Sequence, residues 1–269
     1  MDALVSTEWL AGELGAPDLR VVDATWFLEA DRDASAEYEA GHIPGAVFMD
    51  LANLADEKNE LPMMLPSAEK FASRMQSLGL GDGSRIVLYD NSAQRTSARA
   101  WWMLHLFGAH AVSILDGGLA KWKAEARDVV AGKETLRHRH FTVWKDTGFV
   151  RTLEQMRDLV ESKLEQIVDA RSHARFEGRE AEPRLGVNPG HMPGAKSLPS
   201  SALFEADGTY KSKDGLKAAF EAAGVDPMQP IAATCGSGIT AASVAFAAHL
   251  LGNDKVAVYD GSWSEWGAH

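Results

Sequence analysis

Residues Pro230–Gly252 read PIAATCGSGITAASVAFAAHLLG: a short apolar run, a loop carrying two glycines, then an alanine-rich stretch of helical character. The run reads as a strand that ends at Cys235, the only cysteine of the chain, with a helix beginning near Thr240. Such a turn suits a reactive thiol. The thiolate is the nucleophile, and the end of a strand, a ring of loop N–H groups and a helix N-terminus all favour a negative charge. A lone cysteine packs in most folds as a small buried hydrophobe. Here Gly236 and Gly238 flank Ser237, and a loop of that composition exposes backbone donors rather than burying a side chain.

Working outward, this block is one of four that occur twice in the same order. VVDATW from Val21 returns as IVDARS from Ile167, and AGHIPGAVFMD around His42 as PGHMPGAKSLP around His191. RIVLYDNSAQ from Arg85 returns as PIAATCGSGI from Pro230, and SILDGGLAKW ending at Trp122 as AVYDGSWSEW ending at Trp266. Partners lie about 145 residues apart, a period that indicates a duplicated domain rather than a solenoid. Each half alternates β-branched runs (RVVDA, RIVLYD, AVSILD; QIVDA, PIAAT, KVAVYD) with helical patterns such as SAEKFASRMQSLG and ARAWWMLHLFG. The expected fold is α/β: two tandem domains, each a mainly parallel sheet with helices on both faces. Boundaries are expected at 1–130 for the first domain, 131–148 for a polar linker and 149–269 for the second, whose first helix opens on a Thr152/Gln155 capping box.

The repeats differ where chemistry is expected. Asp90 stands opposite Cys235, so the first domain lacks the thiol and is expected to shape a cleft that the second serves catalytically. His42 and His191 occur in both halves, which marks them as turn residues. Trp101, Trp102, Trp122 and Trp266 read as core, and His173 as exposed and unpartnered.

The chain has 269 residues, 45% of them hydrophobic, and a formal charge of −11, which argues against a nucleic-acid groove or an anionic membrane surface. An anionic substrate would therefore need local cations. MDALVSTEWL has neither a basic nor an apolar leader character, and no run reaches the length of a membrane span, so a cytoplasmic protein is expected. One cysteine excludes an internal disulfide and a cysteine-rich metal site. No nucleotide fingerprint is present, and no cofactor or metal is expected.

The tandem repeat, the two GH(I/M)PGA segments, the loop CGSGIT and the closing YDGSWSEW resemble the two-domain rhodanese-type sulfurtransferases over nearly the whole chain. Members specific for thiosulfate carry bulky basic residues after the cysteine; Gly236-Ser237-Gly238-Ile239-Thr240 instead follows the 3-mercaptopyruvate pattern. The resemblance implies sulfur transfer from 3-mercaptopyruvate through a Cys235 persulfide to a thiol, cyanide or a protein acceptor such as a thioredoxin, with release of pyruvate. It implies catalytic roles for Cys235 and Ser237, and substrate contacts from Gly236, Gly238, Ile239 and Thr240, with Thr240 also capping the following helix. It picks Arg175 and Arg184 out of the mixed run RSHARFEGREAEPR as ligands of the substrate carboxylate and keto group, a task suited to guanidinium forks. Arg99 matches a family arginine near the interdomain cleft, with orienting Asp90 or the loop as the alternative to touching substrate. Two departures stand out: Met63 replaces a histidine and Ala52 an aspartate that relatives use in a proton relay with the serine, so loop amides, arginines and solvent are expected to handle the leaving anion.

Two other readings stay open: thiosulfate as the donor, and a non-enzymatic persulfide carrier or binding module, which would not need paired arginines. A cysteine-dependent phosphatase of this fold would need an arginine where Ala241 stands.

Overall fold

The computed structural model describes Met1–His269. Two compact units result: Met1–Asp56 with Leu65–Asp146 and Ala206–Thr209, and Glu57–Met64 with Thr147–Glu205 and Tyr210–His269. The first contains, in chain order, β1 (Leu4–Val5), α1 (Thr7–Glu13), β2 (Leu19–Asp23), α2 (Ala34–Ala40), β3 (Ala46–Phe48), α3 (Leu51–Leu54), α4 (Ala68–Ser77), β4 (Arg85–Tyr89), α5 (Ser97–Leu106), β5 (Val112–Leu115) and α6 (Gly118–Ala124). The second contains β6 (Val150–Arg151), α7 (Leu153–Ser162), β7 (Gln166–Asp169), α8 (His173–Phe176), β8 (Lys196–Ser197), α9 (Lys213–Ala222), β9 (Ile231–Thr234), α10 (Ala241–Leu250), β10 (Val256–Tyr259) and α11 (Ser262–Trp266).

Each unit is a five-stranded parallel sheet, ordered β1-β5-β4-β2-β3 in the first and β6-β10-β9-β7-β8 in the second. The six strands expected from β-branched runs form the three inner positions of each sheet. Their near-continuous burial is the reason they lack alternation, because helices cover both faces. β4 and β9 are the central strands, so Asp90 and Cys235 emerge from corresponding carboxyl ends, where open α/β sheets place their ligands.

Helix composition follows exposure. α4, α7 and α9 bury one stripe each, through Phe71 and Met75, Met156 and Leu159, and Leu216 and Phe220, spaced three or four residues apart. α5 is buried along its whole length, and α10 from Ala241 to Ala248, which accounts for apolar residues all round both. α7 begins with the Thr152/Gln155 capping box in both directions.

The stretch 131–148 is ordered against the first unit up to Asp146 rather than free. Phe141 is buried with its ring edge on Phe71, and Thr142 donates to Asp82 from both its N–H and its hydroxyl at 2.9 and 2.6 Å. Glycine makes the approach possible: a Cβ on Gly81 would stand 2.5 Å from Arg139 Cβ and 2.6 Å from the His140 carbonyl oxygen. No helix is long and apolar enough to cross a membrane.

The repeated GHxPGA blocks fold alike. His42 Nδ1 lies 2.8 Å from the Tyr38 carbonyl oxygen with its ring stacked on Tyr38, and His191 Nδ1 lies 2.8 Å from that of Phe176 with its ring stacked on Phe176. Gly45 and Gly194 follow at φ +76° and +77°, a conformation that favours glycine. Both histidines thus pin a turn to the end of the preceding helix. Trp101, Trp102 and Trp122 are buried, whereas in α11 Trp263 takes the buried place and Trp266 packs half-exposed at the core's margin.

Candidate active site

Cys235 follows the last residue of β9 and is 2% exposed, with Gly236 and Ser237 half-buried beside it and Gly238 (φ +77°) and Ile239 buried. Thr240 is half-buried and, contrary to the expectation from sequence, makes no capping bond. Its own backbone is helical, φ −74° and ψ −18°, whereas a capping hydroxyl needs the extended geometry to reach back to the next turn. The corresponding residue, Thr96, is likewise helical and uncapped, and its hydroxyl instead donates to the Ala24 carbonyl oxygen at 2.7 Å.

The loop is fastened by the turn that opens α11. Ser262 Oγ accepts from the Cys235 N–H at 3.2 Å and donates to the Tyr259 carbonyl oxygen at 2.7 Å. The Trp263 N–H donates to the Cys235 carbonyl oxygen at 2.9 Å, and Ser264 donates to the Gly236 carbonyl oxygen from its N–H at 2.9 Å and its hydroxyl at 2.6 Å. Ser262 holds φ +49°, a strained conformation for a residue with a Cβ.

Arg175, on α8, lies over the same loop: a Cβ on Gly236 would stand 3.0 Å from Arg175 Nη2. Ser172 caps α8 by accepting from the Arg175 N–H at 3.3 Å. The guanidinium is set by Glu182, whose Oε2 accepts from Nη2 at 2.5 Å and whose Oε1 accepts from Nε at 3.3 Å. Glu182 in turn accepts from Arg171 Nη1 at 2.7 Å, and Arg171 is bound to Asp169 through Nη2 at 2.6 Å and through Nε at 3.0 Å. The Arg171 and Asp169 side chains are wholly buried, and Arg171 also covers the Trp263 ring at 4.4 Å. Burial works against the Arg171 charge, but the hydrogen bonds and charges of Asp169 and Glu182 outweigh it and raise its pKa. Two cations and two carboxylates balance, leaving the outer edge of Arg175, 21% exposed, as the part of the network able to meet an anion.

Arg184, expected to act with Arg175, is exposed and donates to the Glu60 carbonyl oxygen at 2.5 Å. His173 is exposed as expected, yet it has a partner, with Nδ1 2.7 Å from Ser197 Oγ. Met63 has a left-handed backbone at φ +59°, and Ala52 is exposed on α3. Arg171, Glu182, Ser262 and Ser264 carry the site without having been singled out in the sequence. A signal existed for the serines: the repeats differ at Gly118/Ser262 and Ala120/Ser264.

The first unit shows what the loop does with an anion. Asp90 Oδ1 accepts from the Ser92 N–H at 3.0 Å and Oδ2 from the Ser97 N–H at 2.9 Å, so a loop amide and the first amide of α5 close around the side chain that replaces the thiol. Arg99 is buried and lies over the Trp102 ring at 4.4 Å.

Fold and site together define a tandem α/β protein with one thiol-bearing loop and one carboxylate-bearing counterpart. The model of the rhodanese-like domain matches residues 6–125 and again 152–269, and the chain belongs to the rhodanese family. It is 42% identical to human 3-mercaptopyruvate sulfurtransferase over 271 residues, covering 98% of this chain and 91% of that one. It is 41% identical to the thiosulfate sulfurtransferase of Cricetulus griseus over 272 residues, with the same coverage of 98% and 91%. Among solved structures, the 3-mercaptopyruvate sulfotransferase SseA from Escherichia coli superposes with a TM-score of 0.90 at 37% identity, over 98% of this chain and 99% of that one.

Proposed function

We propose that the protein is a sulfurtransferase that takes sulfur from 3-mercaptopyruvate, carries it on Cys235 and passes it to a thiol acceptor. The observation that carries this reading is Arg175: its guanidinium, fixed by Glu182, lies against the backbone of the cysteine loop at Gly236, a planar cation in an otherwise acidic protein. A persulfide carrier has no use for it, whereas a small keto acid does.

In the first step the Cys235 thiolate attacks the substrate sulfur. The S–S bond forms, the C3–S bond breaks, and its electron pair passes to the carbon as the enolate of pyruvate, which takes up a proton and leaves. Arg175 holds the carboxylate, with Arg184 as the second cation, while the loop amides stabilise thiolate and persulfide anion in turn. Ser237 offers its hydroxyl to the sulfur or the substrate, and Gly236, Gly238, Ile239 and Thr240 supply the backbone of the cradle. In the second step an acceptor thiolate attacks the outer sulfur and Cys235 leaves as thiolate. A dithiol protein such as a thioredoxin, a small thiol or cyanide fits this step. The cytoplasm, whose thiols are kept reduced, is the setting we infer.

Thiosulfate is the second reading, favoured by the 41% identity to a thiosulfate sulfurtransferase. Gly236, Ser237 and Gly238 bring no side-chain cation to the loop, which supports the keto acid. Steady-state assays with each donor and a common thiol acceptor test the choice. A kcat/KM at least about tenfold higher for 3-mercaptopyruvate is expected, a difference of about 1.4 kcal/mol in transition-state binding. Equal or higher kcat/KM with thiosulfate overturns it.

A further inference from the structure

The rigid plane of the peptide bond ties the Ser264 contacts to the direction of a loop amide. The carbonyl of Gly236 and the N–H of Ser237 belong to one trans peptide and point in opposite directions. Ser264 grips that carbonyl from two donors, its N–H at 2.9 Å and its hydroxyl at 2.6 Å, and so sets where the Ser237 N–H points. In the first unit the corresponding amide, Ser92 N–H, turns onto the side chain two residues earlier, the Asp90 carboxylate at 3.0 Å. The counterpart of that side chain is Cys235. Its own N–H is occupied by Ser262 Oγ, so the amides further along the loop are the ones left to face the sulfur.

From this we infer that Ser264 is a positioning residue for sulfur transfer, which through the Gly236 carbonyl orients the Ser237 N–H toward the Cys235 sulfur, with Ser262 anchoring the same turn. The first unit has Ala120 and Gly118 at these places. It keeps the bond from the Leu119 N–H to the Asp90 carbonyl oxygen at 3.0 Å, while Ala120 has no hydroxyl to give. A full carboxylate draws its amides by charge without such help, but a single sulfur that is alternately thiolate and persulfide needs its donor fixed in advance. Ser262 accepts backbone strain at φ +49°, where the other unit uses glycine at +57°, and its hydroxyl is what the strain retains.

This role rests on Cys235 being the sulfur carrier, and the test separates the two. With 3-mercaptopyruvate as donor and a small thiol as acceptor, Ser264→Ala is expected to lower kcat about tenfold while KM changes less than about twofold, because the oriented donor serves the charged sulfur rather than substrate binding. Ser264→Thr, which keeps the hydroxyl, is expected to restore kcat to within about twofold. Ser262→Gly suits the left-handed backbone, so it folds, and it too should lower kcat with KM unchanged. Wild-type kcat in Ser264→Ala, or a Thr variant as slow as the Ala variant, overturns the inference, and wild-type kcat in Ser262→Gly overturns the anchoring role of Ser262. Turnover retained in Cys235→Ser removes instead the reading of the thiol itself.

Discussion

The two halves of this chain share a sheet order, a histidine-pinned turn and a strand-to-helix loop, yet they answer the same electrostatic problem in opposite ways. At the end of β2, Asp23 is 2% exposed and is met by neutral groups, the Thr25 N–H at 2.9 Å and the Tyr89 hydroxyl. At the end of β7, Asp169 is wholly buried and is met by Arg171, which occupies the place of Thr25. The first arrangement stops there. The second continues from Arg171 to Glu182 to Arg175 and so delivers a cation to the cysteine loop. The two copies thus share the scaffold and differ in charge at one position in each strand-end pair: carboxylate against thiol in the loop, and threonine against arginine beside it.

Breaking the charged version should have the largest effect. Asp169→Asn leaves Arg171 buried with one anionic partner fewer, and a loss of about 3–5 kcal/mol in unfolding free energy by urea denaturation is expected. A loss below about 1 kcal/mol would mean that Glu182 and the Gly190 carbonyl oxygen, which accepts from Arg171 Nη2 at 2.7 Å, suffice to hold the guanidinium.

The neutral version carries a pH signature. Burial raises the Asp23 carboxyl to about 6, against the opposing hydrogen bonds of Thr25 and Tyr89. The folded state therefore keeps this proton to higher pH than the unfolded chain, whose carboxyl titrates near 3.8. The stability contribution of Asp23 is complete below about pH 4 and is lost as pH rises through about 6, on the order of 3 kcal/mol in all. Asp23→Asn removes that dependence. Its stability relative to the parent should improve by on the order of 2 kcal/mol between pH 4 and pH 7, where most of the loss falls. A difference that stays flat over that range would show the carboxylate to be solvated or paired after all.

The smallest effect expected is kinetic. Arg175→Ala leaves Glu182 on Arg171, so the fold survives, and KM for 3-mercaptopyruvate should rise about tenfold while alkylation of Cys235 continues. An unchanged KM would return the protein to the carrier reading.

These contrasts also explain what could be read from the sequence. The inner strands were legible because burial on both faces leaves long β-branched runs such as RIVLY and VAVY. The edge strands β1, β3, β6 and β8 have two or three residues each, too few for any period to appear, and they exist only because a neighbouring strand offers its ladder. Cys235 and its loop were legible from the break in composition. The partners that set Arg175 were not, because RSHARFEGREAEPR offers several acids and bases and only the fold decides that Glu182 bridges Arg171 and Arg175. Thr240 misled for a local reason: a threonine before a helix looks like a cap, but its own residue had already turned helical.

That Cys235 carries the sulfur of a small keto acid is tested most directly by mass spectrometry of the chain after brief exposure to 3-mercaptopyruvate without acceptor, with pyruvate measured in the same sample. The expected result is the added mass of one sulfur atom on the Cys235 peptide, equimolar with the pyruvate released, and neither product from Cys235→Ser. Pyruvate released with no sulfur on Cys235, or the same added mass on the Cys235→Ser chain, would contradict it.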